Sequence, residues 1–231
     1  RVASDDALHS LSTRYSLLTQ HSALLQASLL WYTCPAMILA GIDEAGYGPV
    51  LGPLVVGACA FEMPDGVDST DLWKRLKKVV SKNRSRNGRK LHVNDSKIVY
   101  SPAGGLKELE RSVLAIASCL HDWPNDLDHF LDCVASHAAT ELAEHPWYLP
   151  PGTEKFPIEH DPVGVRIIAN GLKHEMDRTD TRCVHFSARV VSERPLNRLF
   201  NATRNKSNAL FSVASIHLDE LVRKFGDQKL T

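Results

Sequence analysis

Hydrophobic and polar positions along the chain fall into runs with two different periods. Residues 38–42 are apolar and deliver two adjacent carboxylates, Asp43 and Glu44; a Gly-x-Gly-Pro turn follows, then a second apolar run to about residue 62. Continuous short apolar runs bounded by glycine and proline read as buried strands, so 38–44 and 51–62 are predicted to lie side by side. Residues 69–76 have the cap and spacing of a short helix. Ser101 and Pro102 supply a cap and a first-turn proline to a helix whose apolar positions recur from Leu106 to Leu120. Residues 126–143 read as one amphipathic helix, and another starts at Asp161-Pro162 and runs through Ile167, Ile168, Leu172 and Met176. Residues 182–192 read as a strand, and Leu210, Val213, Ala214, His217, Leu218, Leu221, Val222 and Phe225 form one stripe of a helix closed by Gly226. His217 on that stripe reads as a packed core histidine ahead of a ligand, and the Glu141/His145 pair as surface helix ahead of a metal site.

The chemistry is concentrated at Asp43 and Glu44. Neighbouring residues of a regular strand point to opposite faces, but at a strand's end, where the backbone bends, both can approach one centre. Two carboxylates there repel unless a cation sits between them. Hard divalent ions such as Mg2+ or Mn2+ accept oxygen ligands of this kind, together with water and substrate phosphate.

The string Gly41-Ile-Asp-Glu-Ala-Gly-Tyr-Gly-Pro-Val-Leu-Gly-Pro53 resembles the first motif of the ribonuclease HII (type 2 ribonuclease H) family, Gly-Ile-Asp-Glu-Ala-Gly-Arg-Gly-Pro-x-x-Gly-Pro. Tyr47 stands where that family has arginine. Asp95-Ser96-Lys97 resembles the family's Asp-Ser-Lys motif, and Val191-Ser192 with Asn197, Ala202 and Thr203 loosely resembles the stretch after its third strand. The resemblance implies a ribonuclease H-like α/β fold, a mixed sheet with its first three strands antiparallel and helices on its flanks. It implies a metal-dependent endoribonuclease that cleaves RNA in RNA–DNA hybrids, or at ribonucleotides in duplex DNA, leaving 3′-hydroxyl and 5′-phosphate ends. Asp43 and Glu44 would hold Mg2+ or Mn2+ in two-metal catalysis. Gly46 and Gly48 would let the backbone approach the ribose, where the 2′-hydroxyl distinguishes RNA from DNA, and Ser96 and Lys97 would contact backbone phosphates. Asp95 or Ser96 merely organising a loop is the plainer alternative. Two rivals remain: a catalytically degenerate hybrid-binding protein, and another nuclease on the same fold.

The resembled enzymes use four acidic residues, and only two are matched. If residues 212–216 are the family's late serine motif, the acidic position falls on Arg223. The preferred register makes 208–225 the helix leading into a fourth strand that begins near Leu230, so the fold is expected to be C-terminally incomplete and the natural protein longer. Asp219 is the runner-up ligand, less favoured because it falls mid-helix.

Composition refines this picture. With 231 residues and a formal net charge of zero, the chain has the length for one α/β domain and no global field toward polyanions. Locally, nine basic residues and no acidic one lie between Lys74 and Lys90, a run that is either solvated loop or a set of phosphate contacts. Five scattered cysteines without a Cys-x-x-Cys pair argue against a zinc motif or a disulfide framework and for a reducing, cytoplasmic setting. No apolar stretch has the length of a membrane span. Residues 1–36, apolar from Ala23 to Ala36, read as an extension outside the fold, with a short signal peptide as the lesser alternative; residues 37–231 are expected to form the domain, as a monomer. Arginine pairs with phosphate as a charged fork, whereas tyrosine offers one hydroxyl and a stacking face. Tyr47→Arg is therefore expected to change affinity for a duplex containing a single ribonucleotide without changing metal binding; an unchanged affinity would refute this role for Tyr47.

Overall fold

The computed structural model describes residues 36–45, 52–66, 72–148 and 155–230. Residues 1–35 and the loop residues Gly46, Tyr47 and Gly48 lie outside the described residues. Met37–Thr231 is one compact unit.

Its centre is a four-stranded sheet in the order β5-β2-β1-β6, with β1 at Ala36–Glu44, β2 at Leu54–Pro64, β5 at Arg182–Val191 and β6 at Lys229–Leu230. Leu54, Val56, Ala58 and Ala60 of β2 are buried, while the residues between them pack against a second layer, as period-two alternation requires. The β2–β5 ladder is antiparallel, with Val55 opposite Val190, Gly57 opposite Ala188 and Cys59 opposite Phe186. β1 runs antiparallel to β2 as well: Ala45 N–H donates to Val55 O at 2.8 Å and Asp43 O lies beside Gly57, so partner numbers fall on one strand as they rise on the other. β6 lies on the far side of β1 and pairs with it in parallel, Met37 with Lys229 and Ile38 with Leu230. A separate parallel pair, β3 (Val80–Ser81) and β4 (Leu91–His92), brackets the basic loop.

Helices cover both faces. On one, α7 (Glu193–Thr203) and α8 (Lys206–Phe225) enclose Leu54, Val56, Leu196 and Val213, and α8 closes a second cluster of Ile38, Ala60, Leu221 and Phe225. On the other, α4 (Leu127–Val134) and α5 (Ala138–Ala143) pack against Val190 and Ala188. The long helix α6 (Pro162–Arg178) and α3 (Lys107–Ala117) build the remaining cluster around Ile168, Leu172, Leu91 and Ala115. Two short helices, α1 (Leu72–Arg75) and α2 (Ser96–Val99), flank the basic loop. The chain thus forms the expected α/β architecture, a mixed sheet flanked by helices, compatible with a ribonuclease H-like fold.

Three predicted helices differ in detail. Residues 126–143 are two helices, because the chain breaks at Ala135 (φ −152°, ψ 56°) and swings His137 toward the outer edge of β5. There the Val190 N–H donates to His137 Nε2 at 3.1 Å, satisfying an edge-strand donor that would otherwise be unpaired. The helix expected from Ser101 starts at Lys107 and ends at Ala117, since Gly105 adopts φ +56° and Ser101 closes a turn by accepting from Gly104 N–H. α8 begins two residues ahead of Asn208, capped by the Asn205 side chain accepting from Ser207 N–H at 2.8 Å.

Leu221 is 1% exposed between α8 and the sheet, whereas its neighbour Val222 is 49% exposed. Leu221→Ala is expected to cost about 2–5 kcal/mol and Val222→Ala under about 1 kcal/mol. Urea unfolding of both variants measures the difference, and equal losses would contradict this packing.

Candidate active site

Asp43 is exposed near the C-terminal end of β1, a strand paired on both sides. One carboxylate oxygen accepts the Glu44 N–H at 2.9 Å, which fixes the side chain as the strand bends into Ala45. Its backbone faces Gly57 of β2, where an added Cβ would lie 3.9 Å from Asp43 O. The Asp43 side of the sheet forms a groove of about 490 Å³, floored by Gly41, Gly57 and Ala188 and walled by Phe130, Val134 and Phe186. Burial pushes the Cys59 thiol in this groove up from its ordinary pKa, with the Gly41 backbone bond acting against the rise, so the thiol stays protonated.

Glu44 is half-buried and does not line that groove. Strand alternation puts it on the face of Ile42, which packs toward α7 and α8. The two carboxylates are therefore neighbours at one strand tip that lean to opposite sides of the sheet. No ion pair involves either carboxylate among the described residues. An exposed hard-oxygen donor without a basic partner suits Mg2+ or Mn2+, so Asp43 fits such an ion directly, and Glu44 reaches it only around the strand's end.

Ser96 and Lys97 are exposed in the first turn of α2. Asp95 caps that turn by accepting the Lys97 N–H at 2.8 Å, so the acidic residue of this motif organises the backbone while the hydroxyl and ammonium face solvent. Gly46, Tyr47 and Gly48 lie outside the described residues. Asp219 forms an exposed i,i+4 ion pair with Arg223 at 2.9 Å on α8, a surface role.

The basic loop is anchored. His92 Nε2 and Asn94 Nδ2 lie 3.0 and 3.1 Å from Lys82 O, Lys90 Nζ donates to Lys77 O at 2.6 Å, and Lys82 sits over the Trp73 ring. Arg84 and Arg111 flank Glu108, and with Arg86 and Lys90 they line a cup of about 310 Å³.

Sequence reading missed four contributors. Gly57, Phe130 and Phe186 shape the groove, but register and packing bring them to Asp43 from distant parts of the chain. Glu193, at the start of α7, bonds the Gly52 backbone and accepts the Tyr148 hydroxyl at 2.8 Å. Burial raises the Glu193 pKa, but its own N–H, Tyr148, His145 and Gly52 outweigh that and hold it below the usual carboxylate value. Gly52 itself has φ +111°, open only to glycine at low cost.

The fold defines the chain as an α/β protein with a mixed sheet flanked by helices, compatible with ribonuclease H-like architecture. Compared with curated proteins, it is 31% identical over 83 residues to a Ribonuclease HII of Gluconobacter oxydans, 36% of this chain and 40% of that protein. It is 45% identical over 58 residues to a Ribonuclease HII of Methanocaldococcus jannaschii, a quarter of each chain. The chain thus spans less than half the length of these relatives. No family model matches, and no solved structure matches significantly. No helix among the described residues is long and apolar enough to cross a membrane.

Gly57 tolerates a methyl group, because the nearest atoms would sit at ordinary van der Waals distance. For the RNA–DNA hybrid binding proposed below, Gly57→Ala is expected to fold and to leave affinity nearly normal, while Gly57→Leu fills the groove and weakens binding by about tenfold or more. Equal affinities for the two folded variants would show that nothing occupies this groove.

Proposed function

We propose that this protein is a metal-dependent nuclease of the ribonuclease HII kind, acting on RNA in RNA–DNA hybrids or on ribonucleotides embedded in duplex DNA. The observation that carries the reading is the Asp43 carboxylate, exposed at the tip of a central strand and at the head of a glycine-floored groove. The partial similarity to two Ribonuclease HII proteins supports it.

In this reading Asp43 is the first ligand of Mg2+ or Mn2+, and Glu44 completes the shell from the strand's end. Two such ions held by these carboxylates would supply activation of the attacking water and stabilisation of charge on the leaving 3′-oxygen. Gly41 and Gly57 leave room for a sugar–phosphate strand beside Asp43. The anchored cup of Arg84, Arg86, Lys90 and Arg111, with Ser96 and Lys97, holds backbone phosphates. Gly46 and Gly48 admit the ribose, and Tyr47 contributes a stacking face in place of a guanidinium. Parallel pairing sets where a continuing β6 would go: with Ile38 opposite Leu230, the same register carried forward leads toward Asp43. A carboxylate arriving on that strand would meet the same ion. Residues 37–231 form the ribonuclease H-like domain, and residues 1–36 are an extension to it of which Ala36 enters β1.

A second reading, binding without cleavage, is favoured by one observation: Glu44 leans away from the groove that Asp43 heads. Cleavage of a labelled RNA–DNA hybrid by the full-length protein, with Mg2+ or Mn2+, separates the two. Wild type is expected to cut, with Asp43→Asn slower by at least about 100-fold, roughly 2.7 kcal/mol of transition-state stabilisation. Hybrid binding without cutting would favour the second reading, and cutting unaffected in Asp43→Asn would overturn the first.

A further inference from the structure

On the opposite side of the sheet from the Asp43 groove, β5 and α8 bring together His185, His217 and Glu220, whose ligand atoms all lie within 4.8 Å of one another. We propose that these three residues form a binding site for a transition-metal dication, Zn2+ being the ion their chemistry suits best. This site is separate from any Mg2+ or Mn2+ site at Asp43 and does not depend on the nuclease reading.

The placement follows from the elements. His217 and Glu220 are three apart on α8 and so share one face of the helix. His185 lies opposite Ala60 on the β5–β2 ladder and shares the α8-facing side of the sheet with Ser187 and Arg189. His217 is 0% exposed, and its Nε2 lies 2.9 Å from Val56 O, a carbonyl that can only accept. The proton therefore sits on Nε2, and the lone pair of Nδ1 is aimed into the cluster. Backbone carbonyls set the tautomer of ligating histidines in this way.

Nδ1 faces Glu220 Oε2 at 3.6 Å, and a neutral imidazole lone pair against a carboxylate oxygen is repulsive without a proton or cation between them. The separation is close to the ligand–ligand edge of a tetrahedral zinc site, about 3.3 Å for bonds near 2.0–2.1 Å. Ser187 Oγ lies 2.9 Å from His185 Nε2 and 3.4 Å from His217 Nδ1, bridging the two rings. Two imidazoles and one carboxylate make a set of three protein ligands, with the fourth position left to water on the half-exposed side. Arg189 engages the other oxygen of Glu220, and Lys224 bears on His185; both oppose a dication and set the affinity below that of an all-anionic site. A bound ion would pin α8 to β5, the edge strand.

The test is titration of metal-free full-length protein with Zn2+ by calorimetry and with Co2+ by visible absorption. Expected are one Zn2+ site per chain, intense tetrahedral Co2+ bands, and a thermal midpoint raised by Zn2+. His185→Asn and Glu220→Gln, both at half-exposed positions where folding is little disturbed, should each weaken uptake at least tenfold and lose the Co2+ bands. Asp43→Asn should leave Zn2+ uptake unchanged, so that failure here and failure of the nuclease reading are told apart. No uptake by wild type, uptake unaltered in both His185→Asn and Glu220→Gln, or uptake lost in Asp43→Asn would overturn the proposal.

Discussion

The antiparallel ladder between β1 and β2 is the constraint on which the rest depends. Ala45 N–H bonded to Val55 O and Asp43 O beside Gly57 set a single register. A slip of one residue would exchange the faces of every side chain on β1, turning Ile38 and Ile42 out of the α8-facing core and Asp43 into it. Burying Asp43 without a partner would be costly, so the hydrophobic demand of Ile38 and Ile42 places the carboxylate in the groove. Core packing and site geometry are in this sense one choice.

β2 transmits that register to β5, and the same ladder organises two chemically different faces. Gly57 opposite Ala188 makes a shallow floor beneath aromatic walls on the Asp43 side. Val56 opposite Arg189 and Ala60 opposite His185 put polar groups against α8 on the other. The buried His217 bond to Val56 O links helix and sheet across that second face. Hard carboxylate oxygens on one side and imidazole nitrogens on the other favour different ions, which is why two independent metal sites can be argued on one sheet.

Much of this was legible in the sequence, for reasons that can be named. The two apolar runs ending at Asp43 and starting near Leu54 are long enough that no other element accommodates them, and the Leu210-to-Phe225 stripe has only one helical reading. The break at Ala135 was not legible, because its cause is a contact between His137 and the Val190 N–H, 53 residues away. The late start of α3 was signalled by Gly104-Gly105, yet the Ser101-Pro102 pair reads more strongly as a helix start than two glycines read as a turn. At the site, the strand-tip acids were visible as a motif, but the groove was not: Gly57, Phe130 and Phe186 carry no chemical signature until register and packing bring them to Asp43. The lean of Glu44 away from Asp43 follows from strand alternation continuing through residue 44, whereas the motif alone suggested convergence at a bend.

The proposed role of β1 depends on Asp43 taking up a divalent ion at the strand's tip. Calorimetric titration of the full-length protein with Mn2+, in the absence of substrate and beside Asp43→Asn, measures this directly. Uptake by wild type that disappears in the variant is the predicted result. Identical heats for the two proteins, or no uptake by either, would contradict it.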